Sequence, residues 1–249
     1  MKERIRIDRL LVERGLAESR EKAQAMVMAG EVLADGQKVG KAGQTVAAAA
    51  EIRLLGEKPK YVSRAGHKLE AALDRFAIDV DGRTCLDVGS STGGFTDCLL
   101  QRGAQRVYAV DVGTAQLHWN LRQHSRVVVR ENVNARYLSS EVVPELVDFA
   151  CCDVSFISVT MILPALPPLL RPEAGLVVLV KPQFEAGKGQ VGKGGIVRDP
   201  QLHSEAVEKV RAALTEIGFA QVREMESPIL GAEGNREFLL YASQRTALR

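Results

Sequence analysis

From residue 61 onward, short apolar runs alternate with helical stretches. No other feature of these 249 residues constrains the fold as much. The runs Thr84–Val88, Arg106–Val110, Arg126–Val129, Val147–Cys152, Leu176–Val180 and Glu237–Tyr241 read as strands. Helical segments lie between most of them, such as Arg64–Phe76 with Leu69, Ala72, Leu73 and Phe76 on one face. Strand–helix alternation predicts a doubly wound α/β sheet that takes its ligand at the C-terminal strand ends. The longest apolar stretches, Thr45 to Ala50, Leu176 to Val180 and the Pro-broken Ile162 to Leu170, fall short of the ~18 residues a spanning helix needs. The opening MKERIRIDRL alternates charge with isoleucine and leucine and lacks an apolar signal core. A chain 46% apolar and 26% charged is neither collagen-like, disordered nor a coiled coil. The expectation is a soluble, cytoplasmic protein with no membrane partner. Nothing in the sequence sets its oligomeric state.

The first sixty residues have a different texture. Asp8 can cap a first helix carrying Leu10, Leu11 and Glu13, stopped at Gly15. Ser19 can cap a second, running through Ala23, Met26 and Val27 to Gly30. Val32 to Gly36 then gives a strand entering an Asp-Gly hairpin turn. Polar, Pro-containing Gly56 to Lys60 marks a boundary, giving domains at 1–58 and 59–249. Residues 1–68 hold fourteen Lys and Arg against nine Asp and Glu, a net of +5, and the remainder carries −3. A basic head on a nearly neutral body suits a polyanion, and Arg4, Arg6, Arg9, Arg20 and Lys22 cluster on its helical part.

The first strand of the body ends Leu86-Asp87-Val88-Gly89-Ser90-Ser91-Thr92-Gly93-Gly94-Phe95 and enters a helix. Glycines there let backbone approach a ligand closely. Asp111 follows about twenty residues later at the next strand end, where a carboxylate can hold a ribose diol. Ser91 replaces the second glycine of the dinucleotide fingerprint, so an amino-acid-bearing cofactor fits better than a pyrophosphate. Asp87 can support the loop, or reach the cofactor's ammonium through water. Cofactor candidates are therefore Asp87, Gly89, Ser91, Thr92, Gly93, Gly94, Asp111 and, from a neighbouring strand end, Asp153.

Three look-alikes fail. Gly89 to Gly93 spells a G-x-S-x-G nucleophile elbow, but no HGGG-type oxyanion segment precedes it. Gly187 to Gly194 approaches a phosphate-binding loop, yet Gly194 stands where a Ser or Thr would hold magnesium. Cys151 and Cys152 lie inside a strand and read as core. The cysteines lack CxxC spacing and the four histidines are scattered, so no metal is expected. Asp153 and Lys181, by contrast, emerge from adjacent apolar strands at the crevice.

The head resembles the RNA-binding module named after the fourth small-subunit ribosomal protein, through Arg6-Ile7-Asp8-Arg9-Leu10-Leu11, Gly15-Leu16, Ser19-Arg20, Gly30-Glu31-Val32, Asp35-Gly36 and Val39. It implies a basic helical face laid on structured RNA. The body resembles the TlyA (haemolysin A) family and, more distantly, FtsJ-type enzymes. The matching words are Val62 to Leu69, LDVGSSTGGFTD from Leu86, Ala109 to Gly113, DVSFIS from Asp153, VKPQFE from Val180 and GNREF from Gly234. The resemblance implies a Rossmann-like class I methyltransferase sheet behind a small α+β RNA-binding domain. It also implies S-adenosylmethionine as cofactor, and rRNA or a ribosomal subunit as partner, with methyl transfer to the ribose 2′-OH of cytidine. It carries a Lys-Asp-Lys-Glu tetrad onto Lys68, Asp153, Lys181 and Glu237, in which Lys181 beside Lys68 could be tuned toward a base. Lys188 and Lys193, in the Gly/Lys stretch, join the RNA-binding candidates. The chain stops soon after its last strand, as in the shorter subgroup acting on large-subunit rRNA, so that subunit is the expected target and small-subunit rRNA the second. A catalytically silent ribosome-assembly factor, and a haemolysin as the family label suggests, are the competing readings.

Overall fold

The computed structural model describes residues 4–17, 19–55, 59–187, 189–231 and 233–245, the side chains of Lys193 and Arg245 excepted. The chain divides into two compact units, Met1–Lys60 and Tyr61–Arg249. Residues 56–58, where the sequence places its boundary, lie outside the described ones.

The first unit comprises β1 (Arg4–Arg6), α1 (Ile7–Glu13), α2 (Arg20–Met28), β2 (Val32–Ala34), β3 (Gln37–Lys38), β4 (Thr45–Ala47) and β5 (Ile52–Leu54). Ile7, Leu10 and Leu11 of α1 bury against Ala23 and Val27 of α2 and against Val32 and Val46. Ser19 caps α2, its hydroxyl accepting the Lys22 N–H at 3.3 Å. Asp8 does not cap α1. Arg6 occupies that place, and Asp8 sits inside the first turn, fully buried. A carboxylate taken out of water needs donors, and Asp8 gathers the Arg6 guanidinium at 3.0 and 2.8 Å, Arg20 at 3.1 Å and Gln24 at 3.1 Å. Chiefly through its bond to Arg6, this carboxyl lies far below the usual carboxylate range.

The second unit is a Rossmann-like α/β domain. Its strands are β6 (Thr84–Val88), β7 (Arg106–Val110), β8 (Val127–Arg130), β9 (Val147–Cys152), β10 (Leu170–Val180), β11 (Phe219–Glu226) and β12 (Phe238–Arg245). Its helices are α3 (Ala65–Phe76), α4 (Gly94–Gln101), α5 (Trp119–Arg122), α6 (Pro182–Glu185) and α7 (Pro200–Glu216). Among the described residues they form one sheet in the order β11-β12-β10-β9-β6-β7-β8, parallel except for β12, which runs antiparallel to both neighbours. Side chains alternate across it. Ala150 and Cys152 join the layer under α7, with Val207, Val210 and Leu214. Phe149 and Cys151 join the layer under α3 and α4, with Leu69, Leu73, Phe76, Phe95 and Leu99. The vicinal cysteines are thus core, and burial holds both thiols above their usual range.

The strand order reverses beside β6, which places the crevice between the ends of β6 and β9. There the backbone turns through Gly89 (φ +85°), Ser91 (φ +46°) and Gly93 (φ +99°) into α4. A Cβ on Gly89 would lie 2.3 Å from the Asp153 carbonyl oxygen, so the two strand ends fit only around glycine. Asp87 is completely buried behind this turn and accepts a 2.6 Å bond from the Thr96 hydroxyl of α4. Burial pushes its carboxyl up to about 7. The unfolded chain loses this proton near pH 4 while the fold keeps it to about pH 7, so stability falls as pH rises through that window. Asp87→Asn, which keeps an acceptor for Thr96, is expected to flatten the fall and to melt higher than the wild type at pH 8. Melting curves at pH 5 and 8 measure this, and equal pH slopes for the two proteins would show Asp87 already ionised in the fold.

Candidate active site

Two cavities open at the C-terminal edge of the sheet. The larger, about 430 Å³, has apolar walls from Val110, Val112, Val133, Ile157 and Ile162. Its polar lining comes from Asp111, Gln116, Asn134, Arg136 and Asp153. The smaller, about 150 Å³, is lined by Ser63, Ala65, Thr92, Gly94, Phe95 and Lys181 among others. Gly89, Ser91, Asp153 and Ser155 line both, so the β6 turn and the end of β9 form the wall they share.

Asp111, at the end of β7, fixes the glycine turn. Its carboxylate accepts the Ser91 N–H at 2.8 Å and the Gly113 N–H at 2.7 Å. Each carboxylate oxygen keeps a further lone pair for a hydroxyl from the cavity. Asp87 faces neither cavity: its bond to Thr96 serves the loop, the first of the two roles its position suggested. Gly93 lines neither cavity either, since it packs against Leu117 and Leu121, where a Cβ would clash.

The four tetrad positions close as two ion pairs. Lys181 Nζ lies 2.6 Å from Asp153 and donates to the Ser155 hydroxyl at 2.8 Å. Lys68, in the first turn of α3, meets Glu237 at 2.5 Å, just before β12. Lys68 is therefore matched with Glu237, as Lys181 is with Asp153. The two pairs differ in access. Lys68 and Glu237 are 7% and 3% exposed at their side chains and line neither cavity, whereas Lys181 and Asp153 open onto the smaller one.

Several residues escaped the sequence reading. Phe156 follows Ser155 with φ +66° and is 92% exposed, its ring 5.4 Å from that of Phe184. Its motif was visible, but not its exposure. Asn134 and Arg136 line the larger cavity from a polar stretch without a motif. Buried Asn235 accepts the Val197 N–H at 2.9 Å and donates to the Gly195 carbonyl at 2.8 Å, anchoring the end of the Gly/Lys stretch.

The proposed RNA contacts are differently engaged. Arg4 binds the Thr45 carbonyl at 2.5 Å, Arg9 pairs with Glu13, and Arg6 and Arg20 share Asp8. Lys22 is exposed on α2. Lys188 and the Lys193 side chain lie outside the described residues. No helix among the described residues is long and apolar enough to cross a membrane.

Residues 61–244 match the FtsJ-like methyltransferase family, and residues 5–52 match the S4 domain. The 16S/23S rRNA (cytidine-2′-O)-methyltransferase TlyA of Mycobacterium tuberculosis is 47% identical, with 99% of this chain and 92% of that protein covered. The 23S rRNA (cytidine-2′-O)-methyltransferase TlyA of Campylobacter jejuni is 38% identical over 73% of this chain and 70% of its own. A solved structure from Streptococcus thermophilus that carries a hemolysin designation superposes with a TM-score of 0.73 at 44% identity, covering 99% of this chain and 90% of that one. An S4 domain joined to this sheet, with full-length identity of that order, leaves one assignment: the chain belongs to the FtsJ-like methyltransferases of the TlyA family.

Proposed function

We propose that the chain transfers a methyl group from S-adenosylmethionine to the ribose 2′-OH of cytidine in rRNA. Its domain at 1–58 binds the RNA and its domain at 59–249 does the chemistry. The observation that carries this reading is the Lys181–Asp153 pair, which opens onto the wall shared by both cavities, next to the Gly89–Ser91 turn. The larger cavity suits the cofactor: an apolar slot fits a purine, and Asp111 stands where ribose hydroxyls would be held. When bound, S-adenosylmethionine supplies a methyl carbon made electrophilic by its sulfonium. The smaller cavity takes the acceptor ribose. Lys181, steadied by Asp153 and Ser155, donates toward the 2′-oxygen and orients it. The hydroxyl acidifies as its bond to carbon forms, so Asp153 suffices to take the proton late. Lys68 and Glu237 tie α3 to the start of β12 and brace the site. Holding the hydroxyl in line accounts for much of the rate. Exposed Phe156 offers a face on which an unpaired base can stack. Large-subunit RNA is common to the names of both TlyA relatives and is the first substrate to test, with small-subunit RNA the second.

Three outcomes follow from these roles. Lys181→Ala should retain folding and cofactor binding yet lose ~10²–10⁴-fold in turnover, and Lys181→Arg should not restore it. Single-turnover methylation and melting measured on one sample separate this from a structural ion pair, which predicts a lower Tm with near-normal turnover. Asp111→Ala should weaken S-adenosylmethionine in calorimetry at least tenfold while the fold stays intact, and unchanged affinity would remove Asp111 from the site. Replacing Arg4, Arg9 and Lys22 together by alanine should weaken rRNA binding and flatten its dependence on salt by about one phosphate contact per cation. An unchanged salt slope would mean that the head contacts RNA elsewhere.

A further inference from the structure

The ends of β9 and β10 are joined twice. At the cavity, Lys181 reaches back to Asp153 and Ser155. A few residues further along both segments, Glu185 makes the second join. Its carboxylate accepts the Ser158 hydroxyl at 2.5 Å and the Val159 N–H at 2.7 Å, and lies 3.0 Å from Lys209 Nζ of α7. The Glu185 side chain is only 2% exposed, so these donors meet a carboxylate removed from water. Between the joins runs the turn that carries Phe156, an aromatic residue in a left-handed conformation with its ring in solvent. Such a backbone persists only where its surroundings over-determine it.

We propose that Glu185 is a positioning residue for methyl transfer, stapling the far end of the Asp153–Ser158 turn to the Lys181 segment. This rests on the function proposed above for the Lys181–Asp153 pair. Both bonds to Ser158 and Val159 cross to the other strand end, which is what a staple requires. Without Glu185, the buried Val159 N–H loses its acceptor, the Ser158 hydroxyl is left to the Thr160 hydroxyl 2.7 Å away on its own segment, and the turn is free to shift. A displacement of about 1 Å at a reacting group costs on the order of 10²-fold in rate.

The test uses the full chain with three variants. Glu185→Ala is expected to lower single-turnover methylation of rRNA ~10²-fold with S-adenosylmethionine affinity unchanged. Glu185→Gln retains an acceptor for Val159 and should recover most of that rate. Lys209→Met removes the ion pair together with the Nζ bonds to the Ser158 hydroxyl at 3.3 Å and the Glu185 carbonyl at 3.0 Å, but leaves both carboxylate bonds to Ser158 and Val159, so its rate should stay within a few-fold of wild type. Hydrogen exchange provides the readout that needs no turnover: Glu185→Ala should speed exchange in segments 153–159 and 181–187 and leave 89–94 unchanged. Near-normal turnover in folded Glu185→Ala, a loss in Lys209→Met as large as in Glu185→Ala, or unaltered exchange in 153–159 would each overturn the staple. A wild-type chain that methylates no rRNA would instead sink the function reading, and the exchange measurement would still decide the staple.

Discussion

Two parallel strands end so close together that no side chain fits between them. The Asp153 amide donates to the Val88 carbonyl at 2.9 Å, and one residue later the space at Gly89 admits only hydrogen. Much of the site depends on that contact. A glycine forced there frees the backbone to turn left-handed into α4, and the turn leaves the Ser91 N–H aimed at Asp111. Parallel pairing brings the ends of β6, β7, β9 and β10 to one edge, so residues from four distant segments meet without any long loop to carry them.

Charge inside the protein is arranged by the same economy. Removing one partner of a buried ion pair costs about 3–5 kcal/mol, because the other is left without compensation. The Lys68–Glu237 pair is deep enough to meet that condition, and the more open Lys181–Asp153 pair keeps access to a reactant. Asp8 and Glu185 repeat the pattern in separate units: each is a buried carboxylate that collects donors from segments far apart in the chain. Arg6 and Arg20, each about half exposed, are held in place by Asp8 without being withdrawn from solvent.

Much of the sheet was legible because its central strands are apolar on both faces and bounded by turn residues. Thr84–Val88, Arg106–Val110 and Val147–Cys152 were read to the residue. β11 was not, since its edge position leaves only Phe219 buried among Gln221, Arg223, Glu224 and Glu226. β1 was missed because three residues cannot show a period, and Asp8 was misread as a cap because capping residues and buried carboxylates are spelled alike. At the site, motif words located Gly89, Asp111, Asp153 and Lys181 at strand ends. The pairing of Lys68 with Glu237 depends on how α3 meets β12, which no local pattern encodes. Glu185 carries no signal beyond its place in the VKPQFE motif, because its use as an acceptor appears only once Ser158 and Val159 are brought to it.

The Lys68–Glu237 contact joins positions 169 residues apart. A chain emerging from its N-terminal end presents Lys68 early, on a helix whose counter-charge has yet to be translated. Until Glu237 arrives with β12, that ammonium stays uncompensated and β10 keeps an open edge. The hairpin of β11 and β12, which follows every other strand of this sheet in the chain, therefore acts as a latch on the sheet, and the methyltransferase unit cannot complete its charge pairing before that hairpin is made.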